Sequence, residues 1–380
     1  MLVAGGMTAC VVTAASPAPT HSAKSPKPQA QPPAQVATTL DWTTVSGAHF
    51  QGLGGLDGWQ KSVAVDASRD GAVIVGFSSS QGIYNEPVRW TSDAPQGLTV
   101  PDVEGARGIS TARAISSDGQ YVAGSVRGMK RSDRAIRWSA DGAHLILNQR
   151  EPFRSMEPAG ISEGGKVVVG FGRAGYGCLR QSNCYQPFIA KNGIATPLLD
   201  SGKEMYGQAR GVSNDGAIVA GTLTAKDGGM AFVWQDGSVK KLGSLPGATT
   251  SMAHAISGNG KVVVGRSYPN AFRWEADKME NLGNLGLHDQ CVAHAVSENG
   301  SRVIGSCGSS KAKVAATVFV WQRDTGMREL SNVLSEEYGI DLSGWKVTSG
   351  FGVSGDGRVI VGDGYNPEGT KEAWVAVLPL

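Results

Sequence analysis

The chain has 380 residues, of which 53 are glycine and 18% are charged, with a formal net charge of +2 at pH 7. This even balance excludes the basic surface that nucleic acid requires, and no apolar run reaches the ~18 residues of a membrane-spanning helix. The length allows one large domain or two to three ordinary ones.

Residues 1–10, MLVAGGMTAC, resemble the end of a bacterial lipoprotein signal, in which small apolar residues precede a cysteine that receives lipid. Basic residues that open such a signal are missing, so we interpret 1–10 as a truncated signal segment with lipidation at Cys10. Val11, in place of aspartate, resembles the sorting signal for the outer membrane. A disordered start with an incidental cysteine, or cleavage after Ala14 or Ala15, remain alternatives.

Residues 11–40 continue as a proline-rich stretch with few large apolar side chains. Such a segment buries too little surface to offset its ordering entropy, so we expect a disordered, extended tether. The globular part then comprises residues 41–380. A lipid site, a tether and a folded domain follow one another in a consistent order.

One pattern occurs seven times in the globular part: small residue, any, small residue, Ile/Val, Ser, any, Asp/Asn/Gly, Gly, then xxVxG. Clear copies are AHAISGNGKVVVG (253–265) and AHAVSENGSRVIG (293–305). A period of about 48 residues is typical of solenoids and propellers. The repeated serines are Ser68, Ser116, Ser162, Ser213, Ser257, Ser297 and Ser354.

Each repeat has the pattern of strands. The Asp-Gly or Asn-Gly pair predicts a hairpin with a bulged three-residue loop, and the Val-rich run after it predicts a strand covered on both faces. A third strand follows in most copies, as in AFVW (231–234), and a short fourth in KKLGSLPG (240–247) or ENLGNLGL (280–287). Four strands per repeat indicate a propeller blade.

The two ends of the globular part predict ring closure. The chain finishes on a third-strand motif at 372–380 without a fourth strand, whereas an isolated fourth-strand motif, FQGLGGLDG, stands at 50–58. We therefore predict an all-β fold, a seven-bladed β-propeller with four-stranded blades whose last blade is closed by the N-terminal strand. An open β-solenoid is the alternative, but a solenoid does not need the missing fourth strand at one end and the extra fourth strand at the other.

The repeats resemble those of the bacterial HAF-family extracellular repeat proteins. The resemblance lies in A-x-A-[IV]-S-x-[DN]-G-x-x-V-x-G, then A-F-x-W, then L-G-x-L-P-G, and covers about 50–380. Residues 330–364 are similar to that family's terminal copy, whereas Gly164 for Asp and Ala190 for Trp depart from the pattern. The resemblance implies export to the cell surface or periplasm and implies no particular reaction.

Four cysteines besides Cys10 allow three pairings. A three-residue loop in the sixth repeat makes Cys291 and Cys307 face each other, within the 4.4–6.8 Å between Cα atoms that suits a disulfide. Cys178 and Cys184 then pair by elimination and by proximity. Disulfides would place the protein outside the cytosol; four buried thiols are the alternative.

No residue set indicates a catalytic, metal or cofactor site. His254 and His294 occupy a repeat position where other copies have Arg113, Arg210 and, by our alignment, Glu157, which favours satisfied polar groups over a metal site. The sequence GFGRAG (170–175) matches a dinucleotide motif without the helix that the motif requires, so we interpret its glycines as turn residues.

The longest loops are 78–87, 172–187 and 331–345, the last with a short helix expected at 332–338. Because function concentrates in loops, we expect a ligand site to use these three.

Our hypothesis is an exported, outer-membrane-tethered, periplasmic or cell-surface module that binds a protein or glycan and touches the membrane only through its lipid. No nucleic acid and no cofactor are expected. The alternatives are a glycan hydrolase with its site at a channel mouth and a purely structural spacer. Two or three carboxylates with an arginine at one mouth would favour the hydrolase, and a mouth without carboxylates would favour binding.

Overall fold

In a computed structural model, the chain forms seven antiparallel sheets arranged as blades around one axis. The structure describes residues 41–80, 84–101, 108–127, 133–149, 153–174, 185–199, 206–225, 228–286, 288–309 and 315–379. The first strand of each blade contacts the first strands of both neighbouring blades, which closes the ring. The predicted seven-bladed β-propeller is confirmed.

The strands are numbered in chain order. The N-terminal strand is β1 (His49–Gly52). Blade 1 has β2 (Lys61–Ala67), β3 (Ile74–Ser80), β4 (Tyr84–Trp90) and β5 (Gln96–Gly97). Blade 2 has β6 (Ser110–Ile115), β7 (Tyr121–Arg127), β8 (Asp133–Ser139) and β9 (His144–Ile146). Blade 3 has β10 (Asn148–Gln149), β11 (Phe153–Ile161), β12 (Val167–Ala174), β13 (Tyr185–Lys191) and β14 (Ile194–Pro197).

Blade 4 has β15 (Tyr206–Val212), β16 (Ile218–Ala225), β17 (Gly228–Gln235) and β18 (Ser238–Lys241). Blade 5 has β19 (Met252–Ile256), β20 (Val262–Ser267), β21 (Asn270–Glu275) and β22 (Lys278–Asn281). Blade 6 has β23 (Gln290–Val296), β24 (Arg302–Gly308), β25 (Thr317–Gln322) and β26 (Gly326–Glu329). Blade 7 has β27 (Lys346–Val353), β28 (Val359–Tyr365), β29 (Lys371–Val377) and β1.

The N-terminal strand completes the last blade, as predicted. Strand β1 pairs antiparallel with β29, so that Phe50 faces Ala376 and Gly52 faces Trp374. The Phe50 ring packs 5.8 Å from the Trp374 ring between centroids and 5.3 Å from the Trp345 ring. Trp42 is also buried, and its Nε1 donates to the Gly71 carbonyl of blade 1. The two ends of the chain are thus joined by a shared sheet and core.

Other details differ from the sequence predictions. The fourth strands begin and end earlier, at 238–241 and 278–281, because the LG motifs after them form turns. Blade 3 gains a two-residue strand, β10, which pairs parallel with β14 at the outer edge. The predicted helix at 332–338 is a helical turn (Leu330–Asn332) followed by a π-helical turn (Val333–Glu337).

The repeated serine organises every turn between first and second strands. Each is at most 1% exposed, and its Oγ accepts the N–H of the residue five positions on. In six blades this Oγ also donates to the Asp or Asn two positions on. Blade 3 has Gly164 there, so Ser162 lacks the acidic acceptor and contacts only a backbone carbonyl, at 3.4 Å.

The glycine that ends each repeat pattern lies in the second strand, where a backbone passes too close for a side chain. A Cβ at Gly305 would overlap the Val292 carbonyl oxygen of the first strand, and one at Gly170 would overlap that of Glu157. Gly170 and Gly172 therefore lie inside β12, and our interpretation of the GFGRAG glycines as turn residues is wrong for these two.

The sixth blade contains the predicted disulfide. Cys291 faces Cys307 across β23 and β24, and their bonded pair has Cα atoms 4.1 Å apart, just below the expected range and close to a non-hydrogen-bonded strand pair. The predicted three-residue loop is wrong, because Ser297 bonds Arg302 around a four-residue turn. A bulge at His294 absorbs the extra residue and restores the predicted register. Cys178 and Cys184 lie outside the described residues.

Candidate binding channel

The first strand of every blade carries a β-bulge, an inserted residue without a partner on the second strand. All seven inserted residues line the central cavity, and we call them the bulge ring. In blade order they are Val65, Arg113, Ala159, Arg210, His254, His294 and Phe351. A bulge repeated sevenfold therefore determines the chemistry of the channel wall.

The strand pairing in blade 3 corrects the alignment of the repeats that we made from the sequence. The residue of blade 3 that is equivalent to His254 is Ala159, because the bulge falls between Pro158 and Gly160. Glu157 lies two positions earlier, pairs with Phe171 of β12 and also lines the cavity.

Two histidines and a phenylalanine form one side of the bulge ring. The ring centroids of His254 and His294 are 5.7 Å apart, and those of His294 and Phe351 are 5.8 Å apart, all edge to face. Burial, helped by the charges of Arg210 and Arg266, lowers the pKa of His254 to about 3. Burial and Arg266 lower the pKa of His294 to about 4. Both side chains are therefore neutral at pH 7.

The hydrogen bonding of His254 differs from our expectation that these histidines are satisfied polar groups. Its buried Nε2 has no hydrogen-bond partner in the part of the chain that the structure describes. The imidazole therefore lines the cavity with one ring nitrogen unsatisfied. No group of three or more His, Cys, Asp or Glu side chains suited to a metal occurs among the described residues.

The opposite side of the bulge ring is charged. Arg210 lies 5.0 Å from the Phe171 ring centroid and donates to the Gln208 Oε1 atom. Burial lowers the pKa of Arg210, the nearby Glu157 carboxylate opposes that shift, and the like charge of Arg113 adds to it. These three ionisable groups thus interact across blades 2, 3 and 4.

A carboxyl group lies in the channel wall at a position that is Ala or Gly in the other blades. Asp66 Oδ1 accepts the Ala67 N–H at 2.9 Å, and its Oδ2 accepts the Ile115 N–H of blade 2 at 3.0 Å. Burial raises the pKa of Asp66 to about 6, and these two backbone donors oppose that shift. Because both oxygens are engaged, Asp66 joins two blades.

Polar side chains cross the axis at the end where the first and second strands of each blade connect, which we call the turn side. Arg69 Nε bonds Glu298 at 2.5 Å and its guanidinium bonds Glu163 at 3.3 Å, so one arginine of blade 1 reaches blades 6 and 3. Asn214 of blade 4 donates to Ser117 of blade 2 at 3.3 Å. These contacts bridge the mouth of the channel on the turn side.

Hydrogen bonds between adjacent blades surround the same mouth. Between blades 2 and 3, Gly164 N–H donates to the Asp118 carboxylate at 3.0 Å. At the other six junctions a backbone N–H donates to a backbone carbonyl, from Arg69 to Ser117, Glu163 to Asn214, Asn214 to Gly258, Asn259 to Glu298, Glu298 to Gly355 and Asp356 to Arg69. All seven junctions are bonded, so the turn side is a continuous rim.

The other end of the channel is the loop side. Antiparallel pairing places there the connections between second and third strands and those between blades, including all three loops predicted to recruit a ligand. Between described residues, no hydrogen bond or ion pair crosses the axis at this end. The cavity has a volume of about 330 Å³ and extends from the bulge ring to the turn-side rim. Between described residues the cavity is thus bridged at the turn side and unbridged at the loop side.

The structure tests only some of the predicted site residues. Cys10, the signal segment 1–10 and the tether 11–40 lie outside the described residues, as do the tips of two long loops, 81–83 and 175–184. In the described part of the chain, no helix is long and apolar enough to cross a membrane. In the sequence, Arg113 and Arg210 were noted only as residues that replace histidine at the same repeat position. A prediction of the bulges would have placed both arginines in the channel wall.

Seven blades in a ring around a central cavity define the class of this protein, a seven-bladed β-propeller. The fold is similar to that of a prolyl endopeptidase, with a TM-score of 0.57 and 12% identity over 85% of this chain and 51% of that chain. An acylaminoacyl peptidase of Pyrococcus horikoshii matches with a TM-score of 0.46 and 13% identity, over 80% and 49%. TolB of Acinetobacter baumannii matches at 0.43 and 13%, over 71% and 63%.

These similarities extend to the fold and not to function. The chain spans about half the length of the two peptidases it matches. No protein family model matches the sequence, and no curated protein matches it. Membership of the HAF family therefore stays a prediction.

Proposed function

We propose that this chain is a non-catalytic binding module that accepts part of a protein or glycan of the cell envelope into its channel from the loop side. The observation that carries the proposal is the cavity at the ring axis, bridged on the turn side by Arg69 and its two glutamates and lined by the bulge ring. A mixed apolar and polar cavity of about 330 Å³ is of the size that ligand sites have.

The wall chemistry supports binding over catalysis. Asp66 uses both oxygens on backbone N–H groups, so it is not aimed at a substrate. Glu157 interacts with Arg210, and the two histidines are neutral at pH 7. General acid–base catalysis needs a group within hydrogen-bond reach of the reacting atom and a pKa near the working pH.

Glycan hydrolysis is the second candidate, because the turn-side mouth holds the cluster that we named as its signature. Glu163 and Glu298 flank Arg69 there. Both carboxylates bind the same guanidinium and all three side chains are part-exposed, which favours a brace across the mouth. If the hydrolase is correct, a Glu163→Gln, Glu298→Gln double variant loses glycan-cleaving activity of the parent; a parent without such activity removes this candidate.

The location is part of the same proposal. We infer export and tethering to the outer membrane through lipid on Cys10, with the propeller in the periplasm or at the cell surface. The buried Cys291–Cys307 disulfide supports an oxidising compartment, and the HAF resemblance supports export. Metabolic labelling with a fatty-acid analogue tests the anchor. Label that disappears in Cys10→Ser supports it, and an unlabelled parent refutes it.

Capture of partners from envelope extract tests the binding function. Ala159→Trp places a large ring in the channel, whereas Ala143→Trp makes the same substitution on an exposed outer turn. We expect residues 41–380 and the Ala143→Trp variant to retain the same partner, and the Ala159→Trp variant to lose it. Equal capture by all three would place binding outside the channel, and no capture by any would leave the structural spacer.

A further inference from the structure

Arg113 is an exposed cation that lines the central cavity. Among the described residues it makes no hydrogen bond or ion pair. Its guanidinium offers five N–H donors in a planar fork that matches a carboxylate. Such a donor set at the wall of a cavity points to an anionic ligand.

The neighbouring blades supply a second cation and the space between. Arg210 is the bulge residue of blade 4 and Arg113 that of blade 2, and the bulge residue of the blade between them, Ala159, has only a methyl side chain. The two guanidiniums are close enough that the charge of Arg113 lowers the pKa of Arg210. An anion between them would relieve this repulsion and accept charge-assisted hydrogen bonds from both.

The carboxylates nearest to this pair of arginines are engaged elsewhere. Glu157 interacts with Arg210, and Asp66 accepts backbone N–H groups with both of its oxygens. His254 and His294 are neutral and add no charge. The guanidinium of Arg113 is therefore left for an anionic group of a ligand.

The shape of the cavity distinguishes a peptide from a glycan. Sugars bind best to open aromatic faces, but Phe171 is covered by Arg210 at 5.0 Å and by the edge of Tyr185 at 5.3 Å. Phe351 packs edge to face against His294. A volume of about 330 Å³ is at the small end of ligand pockets. The end of an extended chain fits better than a branched sugar.

We propose that the channel binds the free carboxylate at the C-terminus of a peptide chain, between Arg113 and Arg210. This rests on the proposed function, because it takes the channel as the binding site. It names the part of the partner that enters.

The test uses the full chain and two pools of N-acetylated random pentapeptides, one ending in a free carboxylate and one in a carboxamide. Retention is measured by affinity capture and mass spectrometry, with oligomers of a hexuronic acid as a third probe. We expect the free-acid pool to be retained at least tenfold better than the carboxamide pool. Equal retention of both pools, retention of neither, or retention of the uronate alone would each overturn the proposal.

Charge variants test the assigned residues. Arg113→Gln and Arg210→Gln should each weaken retention of the free-acid pool at least tenfold, and Glu157→Gln should strengthen it. Arg323→Gln removes an equivalent charge from a side chain that is 65% exposed outside the channel, and should have no effect. Unchanged retention in the Arg113 and Arg210 variants would overturn the assignment. The envelope partner could be lost in the Ala159→Trp variant and retained in these charge variants. That result would support the proposed binding function of the channel and contradict recognition of a carboxylate.

Discussion

At the scale of single residues, the repeat is held together by one buried hydroxyl per blade. Each repeated serine accepts a backbone N–H, and six of the seven also donate to an Asp or Asn in the turn. A buried N–H left without its acceptor costs about 1–3 kcal/mol. The pattern S-x-[DN]-G is therefore a structural requirement, which explains why it is repeated more faithfully than the channel residues.

Blade 3 provides a control for this serine network. Ser213→Ala removes both the acceptor for Ile218 N–H and the donor to Asp215, whereas Ser162→Ala removes the acceptor for Val167 N–H but no bond to a carboxylate. We expect Ser213→Ala to lower the free energy of unfolding by about 1 kcal/mol more than Ser162→Ala does. Urea unfolding of both variants measures the difference, and equal losses would show that the turn carboxylate adds nothing.

The channel histidines should make the fold sensitive to acid. Their pKa values of about 3 and 4 lie below the ordinary value of about 6.5, so the unfolded chain binds protons that the folded chain does not. The free energy of unfolding therefore falls between pH 7 and pH 5, on the order of 2 kcal/mol for each histidine. Asp66 acts oppositely, because with a pKa of about 6 the folded state holds a proton that the unfolded state has released.

Replacing both histidines should reverse this pH dependence. In the His254→Gln, His294→Gln double variant only Asp66 is left of the three, and stability should rise by about 1 kcal/mol from pH 7 to pH 5. The parent should lose stability over the same interval. Urea unfolding at the two pH values decides the matter, and parallel losses in parent and variant would refute the burial of the histidines.

At the scale of strands, much was predictable because the signals are local and repeated. The Asp-Gly turns, the Val-rich second strands and the aromatic third strands each follow from residues within one repeat. The pairing of β1 with β29 was also predictable, because the last repeat lacks a fourth strand and an isolated fourth-strand motif stands before the first repeat. The bulges were not predictable, because the residue inserted in each first strand leaves the small residues on both sides of it in their usual pattern. The channel lining, and with it Arg113 and Arg210, therefore appeared only in the structure.

The closing strand should be essential to stability, and the segment before it should not. Deletion of residues 1–52 removes β1 and Trp42 and exposes the outer edge of β29, which then offers unpaired backbone groups to another chain. We expect this variant to melt at a lower temperature and to self-associate. Deletion of residues 1–40 is the matched control and should keep the Tm of the parent. Calorimetry and size-exclusion chromatography measure both, and equal Tm values would contradict closure by β1.

At the scale of the whole molecule, the ring separates two tasks. The turn side joins all seven blades through hydrogen bonds, six between backbone groups and one from Gly164 N–H to the Asp118 carboxylate, and it is bridged by Arg69. The loop side is free of such bridges between described residues. The turn residues meet the same structural needs in every blade, whereas the seven inserted residues differ between blades. The recognition that we propose uses these variable positions.

The most direct test of this account is a crystal structure of the full chain with the peptide that it retains best from the free-acid pool. The account predicts a peptide that enters from the loop side, with its terminal carboxylate between Arg113 and Arg210 and with the Arg69 ion pairs unbroken. A peptide bound on the outer blade edges, or one that enters through the turn side, would contradict it.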